Sequence, residues 1–217
     1  MKRKIHELTE ILKTREPGLY HGPYLEALIR IMDEAKHNGL GLCEALLEHR
    51  FDLVSTYCFP IPHHGLLGKI LPHGPFVEMG AGSGYLARAL VRSGASVSAY
   101  DKYPPDETPA FGFFSQNGWY DDTWFNVVEA GPEEAAAHSD ATLLLCWPPP
   151  DDPMALDSLT AYQDAGGEKL IYIGDPLSSG DAAFHGRLKG FSVLVDEPTV
   201  TWPGIGEKLM ILEVGRG

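Results

Sequence analysis

The sequence predicts a doubly wound α/β fold built on a mostly parallel sheet. From residue 76 onward, short apolar runs alternate with helical patterns, as is typical of parallel strands joined by crossover helices. The first of these runs leads into a turn in which glycine recurs at every second position. With 217 residues, 44% of them hydrophobic, the chain can form one domain with a full core, or one domain with an extension.

The first third of the chain is predicted to be helical. Apolar residues recur at helical spacing in 5–15 and 22–37, and Pro17-Gly18 separates these two segments. Shorter helices are predicted at 42–50, 51–57 and 66–71, with a bent, proline-rich connector at 59–65. We therefore expect residues 1–72 to form an N-terminal helical extension and residues 73–217 to form the sheet domain.

The remaining elements follow in order. Apolar runs bounded by turn residues predict strands near 76–79, 97–101, 125–129, 142–146, 169–174, 191–197 and 208–214. Helical patterns fall near 83–93, 132–138, 152–165 and 181–189, and the region 104–120 is irregular. A hairpin-like return at 198–206 joins the last two strands, so one strand of that pair should run antiparallel.

The turn after the first strand carries the clearest chemical signal. Glu78 precedes three alternating glycines, Gly80, Gly82 and Gly84, and a helical pattern starts directly afterwards. Such glycines permit positive φ and the close approach of a ligand. A dinucleotide site has the spacing G-x-G-x-x-G, and Glu78 would repel its pyrophosphate. A cationic ligand without phosphate fits better; the alternative is a turn used only for tight packing.

The second strand ends in another acid. Asp101 follows Gly84 by 17 residues and closes the run Val97-Ser98-Ala99-Tyr100. In nucleotide-binding βαβ units, a carboxylate at this place accepts hydrogen bonds from ribose hydroxyls. Together, the two acids and the glycine turn indicate a nucleoside ligand that also carries positive charge.

These residues resemble the first two motifs of class I S-adenosylmethionine-dependent methyltransferases. The stretches Phe59-Pro60-Ile61-Pro62 and Cys146-Trp147-Pro148-Pro149 further resemble a subgroup whose fourth motif reads Cys-Trp-Pro-Pro. The resemblance implies a seven-stranded Rossmann-like sheet, S-adenosyl-L-methionine as cofactor and transferase activity. The cofactor contacts it implies are Glu78, Gly80, Ala81, Gly82, Gly84, Asp101, Lys102, Glu129 and Cys146.

The fourth motif departs from that of the amino-methylating members. Those enzymes carry Asn/Asp-Pro-Pro-aromatic at this place, whereas this chain has Trp147 in place of the acceptor side chain and Pro150 in place of the aromatic. Methylation of a base or glutamine nitrogen therefore does not carry over. Trp147 and Pro148 are expected to form the wall at the transferred methyl group, or Trp147 merely packs over the cofactor.

His63 is a candidate general base. It lies in the proline-rich connector before the first strand, and histidine suits proton transfer near neutral pH. The alternative for the adjacent pair His63 and His64 is an exposed or helix-capping role. The histidines and acids show no metal-binding spacing, so no metal is expected.

Charge limits the choice of partner. The net charge is −13, and residues 101–165 hold 13 acids and one base, Lys102. Because nucleic-acid affinity depends on Lys and Arg at phosphates, a nucleic-acid substrate is unlikely. No apolar run reaches 18 residues and the N-terminus lacks the apolar region of a signal peptide, so a cytoplasmic protein without membrane association is expected.

The sequence thus favours methyl transfer to a small-molecule or peptide acceptor. Two alternatives stay open: a nucleic-acid or protein N-methyltransferase, and a non-catalytic methyltransferase-like scaffold.

Overall fold

The computed structural model describes residues 2–14, 20–105, 120 and 123–215. The described helices are α1 Lys2–Lys13, α2 Pro23–His37, α3 Leu42–Glu48, α4 Arg50–Thr56, α5 His64–Ile70, α6 Tyr85–Arg92, α7 Met154–Asp164 and α8 Ala182–Leu188, with 3₁₀ turns at Leu71–His73 and Pro132–His138. The described strands are β1 Phe76–Met79, β2 Val97–Asp101, β3 Val128–Glu129, β4 Thr142–Cys146, β5 Lys169–Gly174, β6 Ser192–Pro198 and β7 Lys208–Glu213.

The strands form one seven-stranded sheet in the order β3-β2-β1-β4-β5-β7-β6. β1 through β5 pair in parallel, whereas β7 runs antiparallel to both β5 and β6. The strand order reverses between β1 and β4, and in open α/β sheets ligands bind beside the carboxyl ends of strands at such a switch point. The doubly wound, seven-stranded prediction with one antiparallel strand is confirmed.

The central strands are covered on both faces. Leu143, Leu144 and Leu145 are successive residues of β4 and all three are fully buried, as expected for a parallel strand between two layers of helices. Leu143 and Leu145 pack in a core with α7 and α8, whereas Leu144 faces a second core formed with α5 and α6. A continuous apolar run therefore predicts these strands correctly.

The N-terminal helices share a third core with the sheet domain. Tyr24 of α2 stacks on Tyr57 with ring centroids 4.9 Å apart, and both rings pack against Tyr85 at the start of α6. Trp202, from the loop between β6 and β7, belongs to the same core and donates its indole N–H to the Phe59 carbonyl at 3.3 Å. The division at residues 72 and 73 stays a prediction.

Two predicted elements differ in kind or extent. The strand predicted at 125–129 is reduced to the two exposed residues of β3, which lies at the sheet edge and has one neighbour. The predicted helix at 132–138 is a 3₁₀ segment, a form common in short connectors. Most of the region predicted to be irregular, 104–120, lies outside the described residues. Within the described ranges, no helix is both long and apolar enough to cross a membrane.

Candidate functional site

The glycine turn joins β1 to α6 in a conformation that only glycine adopts readily. Gly80, Gly82 and Gly84 have φ of +72°, +56° and +72°, in the left-handed region that costs other residues energy. The Ala81 amide donates to the Tyr100 carbonyl at 2.9 Å, which ties the turn to β2. Gly84 is the residue that precedes the first turn of α6.

Glu78 lies beneath this turn and is almost wholly buried, with 1% of its surface exposed. Within the described part of the chain its Oε2 atom has no hydrogen-bond partner. Burial, and then the charge of Asp101, raise its pKa to about 8, against a hydrogen bond from the Ala87 backbone. An unpartnered, buried carboxyl oxygen is costly unless something binds it, so Glu78 is poised for a donor or a cation.

Asp101 ends β2 on the other side of the turn. Its Oδ2 accepts from the Gly82 amide at 2.9 Å and its Oδ1 accepts from the Tyr103 amide, also at 2.9 Å. Burial raises its pKa, although both hydrogen bonds oppose the shift. Asp101 is thus a carboxylate that accepts hydrogen bonds at the carboxyl end of β2.

Two side chains lie against the glycine turn. A Cβ atom placed on Gly82 would stand 2.3 Å from the ring of Tyr120, and one on Gly80 would stand 2.4 Å from the Met154 methyl group. Burial raises the Tyr120 pKa well above its usual value, followed by the charges of Cys58, Cys146, Asp101 and Glu78. The Tyr120 ring thus occupies space that a ligand contacting the Gly82 backbone needs, and it must move for such a ligand to enter.

The other predicted cofactor contacts are spread unevenly. Cys146 ends β4, beside β1, and burial followed by the Glu78 charge raises its thiol pKa well above the usual value. Glu129 is exposed and pairs in register with Asp101 at the sheet edge. Lys102 is exposed, with its ammonium 5.3 Å from the centre of the Tyr103 ring. Glu78, Asp101, Cys146 and the glycines are therefore brought together, whereas Lys102 and Glu129 lie on the exposed side.

The predicted wall begins where β4 ends. Trp147 has φ of +50°, and its amide donates to the Ile173 carbonyl at 2.7 Å, which extends the pairing with β5 by one residue. Its ring stacks on Phe59, with centroids 5.0 Å apart and planes 19° apart. The Pro148 carbonyl accepts from the Gly180 amide at 2.8 Å, so one of its lone pairs is already used.

Glu207 completes this wall and was not anticipated from the sequence. It is fully buried, and its Oε2 accepts the Trp147 indole N–H at 2.6 Å. The Thr199 hydroxyl donates to its Oε1. Glu207 stands 60 positions after Trp147, and its one sequence signal is an acid directly before Lys208, the residue that begins β7.

His63 caps helix α5. Its Nδ1 accepts from the Leu66 amide at 3.2 Å, and burial, followed by the charges of His64 and Lys69, lowers its pKa to about 4. Because Nδ1 is the acceptor, the neutral ring carries its proton on Nε2, which has no partner among the described residues. The capping alternative accounts for this geometry, and the general-base role stays a prediction.

In ranges 2–14, 20–105 and 123–215, together with Tyr120, no three His, Cys, Asp or Glu side chains are grouped so that they could hold an ion. The site instead combines buried carboxyls, backbone amides and aromatic rings.

Comparisons with known proteins give distant likenesses. No family model and no curated protein sequence matches the chain. It aligns with a solved Thermoplasma acidophilum protein at 15% identity and a TM-score of 0.40, over 96% of each chain. A Synechocystis magnesium protoporphyrin IX methyltransferase with bound SAH aligns at 13% identity and a TM-score of 0.44, over 69% of this chain and 80% of that one. Human N-acetylserotonin methyltransferase in complex with SAM aligns at 13% identity and a TM-score of 0.43, over 98% of this chain and 67% of that one. Likenesses this distant do not by themselves identify an activity.

Proposed function

We propose that this chain is an S-adenosylmethionine-dependent methyltransferase that acts on a small-molecule or peptide acceptor. One observation supports this most strongly: two buried carboxyls, Glu78 and Asp101, flank a left-handed glycine turn at the ends of adjacent parallel strands. One oxygen of Glu78 has no partner among the described residues. The site therefore has carboxyl acceptors beside a glycine backbone that a ligand could contact once the Tyr120 ring moves away.

The cofactor fits this donor and acceptor set. Glu78 Oε2 would accept from the ammonium of its methionine part, and the Asp101 carboxylate at the end of β2 would accept from the ribose hydroxyls. When bound, the cofactor supplies a methyl group activated by the sulfonium charge. A dinucleotide would bring pyrophosphate to two buried acids, and the repulsion disfavours it.

The chain's own contribution to the chemistry would be orientation and exclusion of water. Trp147, the residue after β4, stacks on Phe59, and Pro148 restricts the backbone next to it. Holding the acceptor in line with the methyl group is worth several kcal/mol of barrier, roughly up to 7–11 kcal/mol in well-oriented systems. An acceptor that is already deprotonated needs no base. His63, the predicted base, could take a proton only after its Nδ1 releases the Leu66 amide, because Nε2 carries the ring proton.

The acidic segment supports the choice of acceptor class. Residues 101–165 hold 13 acids and a single base, and the described segments that follow β2 and β4 in this range lie at the carboxyl edge of the sheet, so a polyanion would meet repulsion there. A nucleic-acid or protein N-methyltransferase is the less favoured alternative. Membership in the Cys-Trp-Pro-Pro subgroup also stays a proposal.

Calorimetric titration with S-adenosylmethionine tests the cofactor assignment. Asp101→Ala is expected to weaken binding by about 10- to 100-fold, since hydrogen bonds to a charged group contribute about 1.5–3 kcal/mol. Asp140→Ala is the matched control, because it removes an exposed acid from the same acidic segment and should leave the affinity unchanged. An Asp101→Ala protein that binds as tightly as the parent would refute the ribose assignment.

A non-catalytic scaffold is the second candidate, and one observation favours it. The Tyr120 ring and the Met154 methyl group lie where a cofactor would contact the glycine turn. In a scaffold these side chains would stay in place, whereas in an enzyme the Tyr120 ring must leave when the cofactor binds.

Tyr120→Ala separates the two candidates. If the ring competes with the cofactor, its removal should tighten S-adenosylmethionine binding by about tenfold, because the cost of displacing a partly buried aromatic side chain disappears. Tyr103→Ala, which truncates an exposed ring beside Asp101, is the control and should change little. Calorimetry that detects no binding to either the parent or Tyr120→Ala leaves only the scaffold.

A further inference from the structure

We propose that Glu207 is a positioning residue that fixes the Trp147 indole in the methyl-transfer wall. This inference rests on the proposed function, because the wall has a role only if the methyl group is delivered beside it. Glu207 does not itself need to touch either substrate. Its contribution is the orientation of a ring that the acceptor would meet.

The backbone of Trp147 is the first argument. A bulky residue at φ of +50° is an outlier, and such strained conformations cluster at functional sites. The hydrogen bond from its amide to Ile173 holds the backbone at the end of β4. That bond fixes where the residue stands, but it does not fix the rotation of the ring.

The side-chain contacts fix that rotation. Phe59 stacks on the indole, with ring centroids 5.0 Å apart, and Glu207 Oε2 accepts the indole N–H at 2.6 Å. The Thr199 hydroxyl donates to the other oxygen of Glu207. A fully buried carboxylate is retained only when donors compensate its desolvation, and these two donors supply that compensation.

Three separate parts of the chain meet at this indole. Phe59 comes from the connector after α4, Trp147 follows β4, and Glu207 lies at the base of the loop between β6 and β7. Trp202, in that same loop, donates to the Phe59 carbonyl at 3.3 Å. This loop therefore contains Glu207, which accepts the indole N–H of Trp147. It also contains Trp202, which is hydrogen-bonded to the backbone of the phenylalanine that stacks on that indole.

The hydrogen bond between Trp147 and Glu207 also restricts how the methyl acceptor can be recognised. The Trp147 N–H is committed to Glu207, so the indole offers an acceptor molecule its aromatic surface and not a hydrogen bond. Apolar or planar groups, and cations attracted to the ring face, suit such a surface. A wall that works by hydrogen bonding to the acceptor through Trp147 does not fit this geometry.

Indole N–H resonances of ¹⁵N-tryptophan-labelled protein test the proposal. The chain has four tryptophans, and Trp147→Phe assigns the resonance of interest. Glu207→Gln keeps an oxygen that can accept the indole N–H, whereas Glu207→Met has similar length but lacks a strong acceptor. Each protein is measured alone and with saturating S-adenosylmethionine, and calorimetry gives its cofactor affinity.

We expect the Trp147 resonance to lie downfield in the parent and Glu207→Gln, and to move when the cofactor is added. In Glu207→Met the resonance should move upfield and its response to the cofactor should be lost, while the cofactor affinity stays within about threefold of the parent. A Glu207→Met spectrum like that of the parent would overturn the proposal. So would a parent resonance that ignores a bound cofactor, which tests the idea even if Glu207→Met does not fold. If calorimetry shows no cofactor binding in the parent, the proposed function fails and the positioning role fails with it.

Discussion

Glu78→Gln should weaken S-adenosylmethionine binding by more than about 100-fold, and it should also stabilise the cofactor-free protein at alkaline pH. Removing one partner of a buried charge pair costs about 2–5 kcal/mol, and Glu78 is the carboxyl assigned to the cofactor's ammonium. The stabilisation arises because the parent must bury a charge there without a full set of partners. Function and stability thus oppose each other at this residue.

The sign of the pH effect follows from the raised pKa. The Glu78 pKa is about 8 in the folded protein and 4.5 in its ordinary state, so between these values the folded state holds a proton that the unfolded state has released. The stability that Glu78 contributes is complete below the ordinary pKa and is lost as pH rises through that of the folded state. The expected slope is at most about 1.4 kcal/mol per pH unit.

The affinity for the cofactor should instead increase as pH rises. Glu78 must lose its proton to bind a cation, so affinity should rise by up to about tenfold per pH unit between roughly pH 6 and 7.5, with release of about one proton. Urea unfolding and calorimetry over this range measure both effects. Asp140→Asn, at an exposed site, is the control and should retain both pH profiles. Parallel profiles for the parent and Glu78→Gln would show that Glu78 does not titrate as assigned.

Gly82→Ala is the second change with a large expected effect. A methyl group there would point into the space that the cofactor needs, so binding should weaken by about 2 kcal/mol, or about 30-fold. The left-handed φ of +56° adds a stability cost of about 1–2 kcal/mol for any residue with a Cβ.

Gly94→Ala separates the steric effect from the backbone effect. Gly94 also has positive φ, +97°, but a Cβ atom there meets nothing within 4 Å. It should lose stability through its backbone conformation while binding S-adenosylmethionine normally. Equal losses of affinity in the two variants would mean that Gly82 serves only the packing of the turn, which is the alternative that the sequence leaves open.

Local patterns predicted most of the fold. The strands at 76–79, 97–101, 142–146 and 169–174 have the predicted bounds, because each is a short apolar run flanked by turn residues. The proximity of Glu78, Asp101 and the glycines was predictable for a similar reason, since the carboxyl ends of adjacent parallel strands meet at one sheet edge, whereas their role in binding a cofactor stays a prediction.

Contacts between distant segments were not predictable in the same way. Glu207 pairs with Trp147 only because β7 inserts between β5 and β6, and no local pattern encodes that pairing. The packing of the Tyr120 ring against Gly82 is likewise a contact between residues far apart in the sequence. His63 was ambiguous, because a histidine before a helix has the same sequence context whether it caps the helix or acts as a base.

A crystal structure with S-adenosylhomocysteine bound tests the central claim most directly. We predict ribose hydroxyls within hydrogen-bond distance of Asp101, the amino group at Glu78, the sulfur facing Trp147, and the Tyr120 ring displaced from Gly82. A complex in which Tyr120 still covers Gly82 and the ligand lies away from both acids would contradict the account. The two carboxyls would then be structural features of the sheet edge, with no part in binding a cofactor.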